Sequence, residues 1–136
     1  MDINSKSIGQ NFYKLTKDPR LVLKFIYLTI QKKMVRMLAT KAEFDTIIAG
    51  AKPVVIDFTA TWCPPCQMIG PKFVAMATEF PNVEMVKVDV DANEQTSSSC
   101  GIECMPTFQV YKDGKMVEKM EGADEAGLRK MIAKYN

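Results

Sequence analysis

The chain has 136 residues, 47% hydrophobic and 25% charged, with a formal net charge of +2 and no histidine. That balance fits one soluble globular domain and argues against disorder along the whole chain. Without histidine, His-containing zinc sites, Ser-His-Asp or Cys-His catalysis and a histidine pH switch are excluded, so any chemistry falls to Cys, Asp, Glu, Lys or Tyr.

Residues 1–33 carry seven Lys/Arg against two Asp, whereas residues 34–136 carry eleven basic against fourteen acidic side chains. The basic excess therefore belongs to an N-terminal extension, and the remainder has no nucleic-acid footprint. Its most apolar stretch, Leu21 to Ile30, is interrupted by Lys24 and falls short of the ~20 residues a membrane span needs. Three readings of residues 1–33 stand side by side. They are a disordered or non-native leader, an upstream segment read as coding, that adds nothing to the fold, a mitochondrial presequence with Leu21, Phe25, Leu28 and Lys32 at helical spacing, or a helix for a membrane surface or a partner. Asp2, Asp18 and the single Arg before position 34 weigh against the presequence.

From Met34 the pattern becomes that of an alternating α/β domain, residues 34–136. Val35 to Ala39 predicts a short strand, and Thr40 caps a helix over 41–49 with Glu43 at capping-box spacing and Phe44, Ile47 and Ile48 on its apolar face. Pro53 to Phe58 is a β-branched apolar run, the mark of a strand covered on both faces. Cys63 to Phe80 predicts a long helix broken at Gly70-Pro71. Val83 to Val90 is a second buried strand and Asn93 to Cys100 a short helix. Thr107 to Lys112, the turn Asp113-Gly114 and Lys115 to Met120 make a hairpin, and Asp124 to Tyr135 a final amphipathic helix. This order predicts a central mixed β-sheet flanked by helices.

The chemistry concentrates in Trp62-Cys63-Pro64-Pro65-Cys66, at the C-terminal end of a central strand, where open α/β sheets place their sites. Two cysteines at i and i+3 on a first helical turn are close enough to bond, and unpaired N–H groups with the helix dipole favour a thiolate on Cys63. Such a pair is the minimum equipment for thiol–disulfide exchange, with Cys66 resolving. A structural alternative is a four-thiolate zinc site built with Cys100 and Cys104. Four cysteines without a cleavable secretory signal point to a reducing compartment. Asp57, in the middle of an apolar strand, should have its pKa raised by burial unless it is paired. The seven glycines form neither a dinucleotide fingerprint nor a P-loop, so electrons must arrive from a separate protein.

Met34-Val35, the run Val54 to Cys63, Cys66, Pro71, Val88 to Asp91, Cys104 to Phe108 and Glu121 to Ala123 together resemble the thioredoxin family, particularly its animal cytosolic form. The likeness covers residues 34–136. It implies the thioredoxin fold and a cytoplasmic dithiol–disulfide oxidoreductase, or a mitochondrial one if residues 1–33 are a presequence. It implies electrons from thioredoxin reductase, so that NADPH and FAD belong to that partner and no cofactor or metal is held here. It further implies disulfide-bearing clients such as peroxiredoxins, and a monomer that oxidation can link into a disulfide dimer.

By the same resemblance Asp57 relays the Cys66 proton through a water, Lys87 moderates that carboxylate, and Trp62, Met105, Pro106, Gly122 and Ala123 form a flat docking surface. Spacing alone makes Met105–Pro106 trans; the resemblance makes it cis. Pro64 departs from the family's usual Gly, leaving redox potential and partner preference open, and a residue before proline resists the helical region, which sets Pro64 against Pro65. Cys100 and Cys104 are incidental or, as in some animal relatives, oxidisable and regulatory. A thioredoxin-fold binding module with little turnover is the alternative from another class.

Overall fold

The computed structural model describes residues 17–33 and 35–136. The contacts of the chain divide it between Met34 and Val35 into two units. In the first, helix α1 runs over Pro19–Lys33. Asp18 precedes it and accepts from the Arg20 N–H at 2.9 Å, while Pro19 occupies the first helical position, where its missing N–H costs nothing. Leu21, Leu23 and Tyr27 on α1 are exposed. The helical spacing read through Leu21 and Phe25 takes this form; the side chains of Leu28 and Lys32, together with Met34 and residues 1–16, lie outside the description. No helix among the described residues is long and apolar enough to cross a membrane.

The second unit is a five-stranded mixed sheet with helices on both faces. In chain order it comprises β1 (Arg36–Met37), α2 (Lys41–Ile48), β2 (Val54–Thr59), α3 (Pro64–Glu79), β3 (Glu84–Asp89), α4 (Glu94–Ser99), β4 (Thr107–Lys112), β5 (Lys115–Glu121) and α5 (Glu125–Ala133). The strands lie β1-β3-β2-β4-β5, with β1, β3 and β2 parallel and β4 and β5 antiparallel. The two apolar runs predicted as central, β2 and β3, pair parallel with Asp57 opposite Lys87.

Every residue of β2 is buried, as a strand covered on both faces requires. Its side chains divide by parity. Val54, Ile56 and Phe58 join Leu38, Phe44, Val86, Val88 and Tyr111 in one core cluster. Val55 joins Ile69, Phe73, Met76, Phe108, Leu128 and Ile132 in the other, formed with α3 and α5. Asp57 shares the parity of Val55, which directs a carboxylate to the face that α3 covers.

Local chemistry fixes the ends. Thr40 accepts from Glu43 N–H while the Glu43 carboxylate accepts from Ala39 N–H, a reciprocal arrangement that starts α2. Asn93 and Asp124 cap α4 and α5. Asp113 and Gly114 both have positive φ, 54° and 77°, the backbone of a tight turn matched to the twist of the β4–β5 hairpin.

Two expectations need correction. The first strand is two residues, Arg36–Met37, instead of Val35 to Ala39; Leu38 is already buried in the core and its N–H donates to Lys87 O at 2.8 Å. The long helix does not break at Gly70-Pro71 but runs through Pro71. Packing of Ile69, Phe73 and Met76 on the sheet outweighs one missing hydrogen bond.

Candidate active site

Cys63 is the N-cap of α3, in an extended conformation (φ −98°, ψ 107°) that suits a residue before proline. Pro64 and Pro65 then fill the first two helical positions, where no carbonyl awaits their absent N–H groups. The Cys63 sulfur does what a capping oxygen does elsewhere: it accepts from the Cys66 N–H at 3.3 Å. The two cysteines are joined by a disulfide, with Cα atoms 5.3 Å apart. Both are buried, packed with Ala60 and touched by Val90 and Met105.

The Met105–Pro106 peptide is cis, as the resemblance implies and spacing alone does not. Met105 O lies 3.7 Å from the Cys63 sulfur. Gly122, at φ +95°, donates its N–H to Pro106 O at 2.9 Å, tying the end of β5 to the same loop. A side chain at that φ would be strained. Ala123 is half-buried against the α3–α5 core, and Trp62 is 64% exposed beside the disulfide.

Asp57 is wholly buried, and neither carboxyl oxygen has a hydrogen-bond partner in the protein. Burial raises its pKa to about 6, against a smaller lowering by the Lys87 ammonium 4.0 Å away. Lys87 also lines a cavity of about 340 Å3 together with Thr59, Cys66, Gln67, Gly70 and Asp89. The cavity gives the interior behind Cys66 an opening in which the Lys87 side chain is 20% exposed.

Two participants escape sequence reasoning. Asp91 Oδ2 accepts from the Trp62 indole N–H at 2.8 Å, fixing the exposed ring across 29 positions of chain. Gln67 Nε2 donates to Ala60 O at 3.0 Å, bridging α3 to the loop before Cys63. No spacing rule announces either bond.

The remaining cysteines are elsewhere. Cys100 caps the C-terminus of α4, half-buried, and its sulfur receives the Tyr111 hydroxyl at 3.4 Å. Gly101 follows at φ +67° and ends the helix, so Cys104 is not on its continuation. Cys104 is exposed, 3.8 Å from Thr107 Oγ1. The four sulfurs do not converge, and among the described residues no group of three or more Cys, Asp or Glu is arranged to hold a metal. The zinc reading thus finds no geometry here.

Comparison with known proteins follows the same boundaries. The family model Thioredoxin matches residues 35–134. A thioredoxin of Geodia cydonium is 56% identical over 104 residues, covering 74% of this chain and 98% of that protein. The X-ray structure of Fasciola hepatica thioredoxin superposes with TM-score 0.72 at 43% identity, over 75% of this chain and all of that one. A chain from work on the thiol resolving mechanism of a yeast mitochondrial 1-Cys peroxiredoxin is 35% identical with TM-score 0.71, covering 76% of this chain and 97% of that one. Likeness across nearly the whole second unit, the unit that holds the paired thiols singled out by the geometry, makes this chain a member of the thioredoxin family of dithiol–disulfide oxidoreductases.

Proposed function

We propose that the protein reduces disulfides of client proteins with electrons delivered by an NADPH-dependent thioredoxin reductase. The observation that carries this reading is the Cys63 sulfur standing as helix N-cap over the Cys66 N–H at 3.3 Å. A donor already aimed at the sulfur, at the positive end of α3, stabilises charge as it forms.

In the reduced protein, the Cys63 thiolate attacks one sulfur of a client disulfide and expels the other as a thiolate. Cys66 then gives up its proton and attacks Cys63, releasing the second client thiol and leaving the Cys63–Cys66 disulfide. Two electrons pass to the client, and the reductase, which holds NADPH and FAD, returns them. Asp57 is the acceptor for the Cys66 proton: a carboxyl with a pKa of about 6 is ionised near neutral pH yet basic enough to be protonated. Lys87 moderates its charge. Met105, with its backbone carbonyl beside Cys63, and Pro106, Gly122, Ala123 and Trp62 form the surface on which an extended client segment docks.

Peroxiredoxins are one fitting class of client. The compartment that accords with a reducing role is the cytoplasm, or mitochondria if residues 1–33 act as a presequence; tracing the full chain and residues 35–136 by fractionation separates the two.

The test is NADPH consumption with thioredoxin reductase and insulin, comparing the full chain with Cys63→Ser. Turnover that vanishes in the variant supports the reading. A folded parent without turnover would favour a binding module that keeps the fold for docking.

A further inference from the structure

Gly70 is buried in the middle of α3, where alanine would favour the helix by about 1 kcal/mol. Here no left-handed backbone demands it, and the nearest atom to a Cβ built on Gly70 is the Lys87 ammonium nitrogen, at 3.2 Å. That separation is tighter than nine in ten real Cβ contacts, so a side chain at position 70 would make the ammonium give way by tenths of an ångström. The same nitrogen is the one cationic group within 4.0 Å of Asp57 among the described residues.

We infer that Gly70 is a positioning residue: by presenting no Cβ to the cavity behind Cys66, it lets the Lys87 ammonium stand within 4.0 Å of the buried Asp57 carboxylate. Asp57 is wholly buried and lies outside the cavity lining, whereas Lys87 lines the cavity and is partly exposed there. A methyl at position 70 therefore sends the ammonium outward. Closing further on Asp57 would draw the partly exposed ammonium deeper into the interior, at a desolvation cost.

The titratable groups facing this pair are few. Cys66 approaches from α3, and Asp89 lines the cavity from β3 with its Oδ1 already accepting the N–H groups of Asp91 and Ala92. β1 contributes Met37, and β4 places Phe108 opposite Asp57; neither titrates. The distance from Lys87 thus governs how far the charge of Asp57 is offset. At an effective dielectric near 20, a retreat of about 0.5 Å from a 4.0 Å pair raises the carboxyl midpoint by about 0.3 pH unit.

A competing reason for Gly70 is local, since the residue before Pro71 suffers a Cβ clash with the proline ring in a helix. That effect would alter stability without touching Asp57, and it would persist without Lys87.

Carboxyl-carbon NMR titration of Asp57 in the reduced full chain separates the two, using the parent, Gly70→Ala, Lys87→Met and the double variant, with Lys87→Gln in place of Lys87→Met should the latter fold poorly. The expected result is an upward shift of about 0.3 pH unit from Gly70→Ala when Lys87 is present and none when it is replaced. A shift under about 0.1 unit, a downward shift, or the same shift in both backgrounds overturns the inference. The inference deepens the role proposed for Asp57 but does not depend on it. If the titration moves as expected while the pH profile of insulin reduction stays put, the positioning stands and the proton-acceptor role of Asp57 fails.

Discussion

The molecule contains two pairs of nearby cysteines, and only one is built for exchange. Cys63 and Cys66 stand at i and i+3 across a helix start, bonded to each other, with the Cys63 sulfur accepting from the Cys66 N–H. Cys100 and Cys104 stand at i and i+4, but Gly101 at φ +67° turns the chain between them. One of these falls to the wrong end of a short helix, where carbonyls and not N–H groups point at it, and the other to the surface beside Thr107. Composition is identical in the two pairs. What differs is the backbone, and a helix N-terminus favours a thiolate as its C-terminus does not.

The sharpest way to break this contrast is substitution of each sulfur. Cys63→Ser should abolish insulin reduction, and Cys66→Ser should stop turnover after one step, leaving a client trapped on Cys63 as a mixed disulfide visible on a non-reducing gel. Cys100→Ser and Cys104→Ser should leave the rate within about twofold of the parent, since neither sulfur touches the site. A tenfold loss from either would erase the distinction.

Next in size is Asp57. Its substitution by Asn should slow the resolving step by roughly 10²-fold at neutral pH and remove the dependence of that step on a group titrating near 6. The same residue makes a stability prediction of opposite sense. A carboxyl raised from 3.8 to about 6 binds its proton more tightly in the folded protein. The native state therefore enjoys this contribution fully below about pH 4 and loses it as pH rises through about 6, to the extent of ~3 kcal/mol. Denaturant melts of the oxidised protein should show that loss, and Asp57→Asn should be flat over the window and more stable than the parent above it.

Smaller effects sharpen the picture at the edges. Gln67→Ala removes the bridge to Ala60 O and should cost about 1 kcal/mol of stability, measured by the same melts. After peroxide treatment, exposed Cys104 rather than half-buried Cys100 should be the sulfur that links two copies, so dimer on a non-reducing gel should disappear in Cys104→Ser. Unchanged dimer in that variant would clear Cys104.

The contrast between the pairs was largely legible in the sequence because both halves of it are local. An apolar run ending in Cys-Pro-Pro-Cys places a helix start, and Gly101 denies one. Asp57 was legible too, as a carboxylate with no polar neighbour in a strand buried on both faces. What could not be read depends on distant chain segments meeting. Trp62 with Asp91, Gln67 with Ala60 O, and Cys100 with Tyr111 are set by how loops fold over the sheet ends. The uninterrupted passage of α3 through Pro71 and the shortening of β1 to two residues are likewise decisions of packing. The cis bond before Pro106 came from resemblance to a family and from no physical rule applied to the residues.

The central claim is that backbone placement makes Cys63, and neither Cys100 nor Cys104, the reactive thiol. Reduced full-length protein exposed to limiting iodoacetamide across pH 5–9 (about the range in which thiols titrate), with the alkylated residue located by mass spectrometry, tests it most directly. The account predicts that label enters Cys63 first and alone near neutral pH. Equal labelling of Cys63 and Cys104 at neutral pH would contradict it.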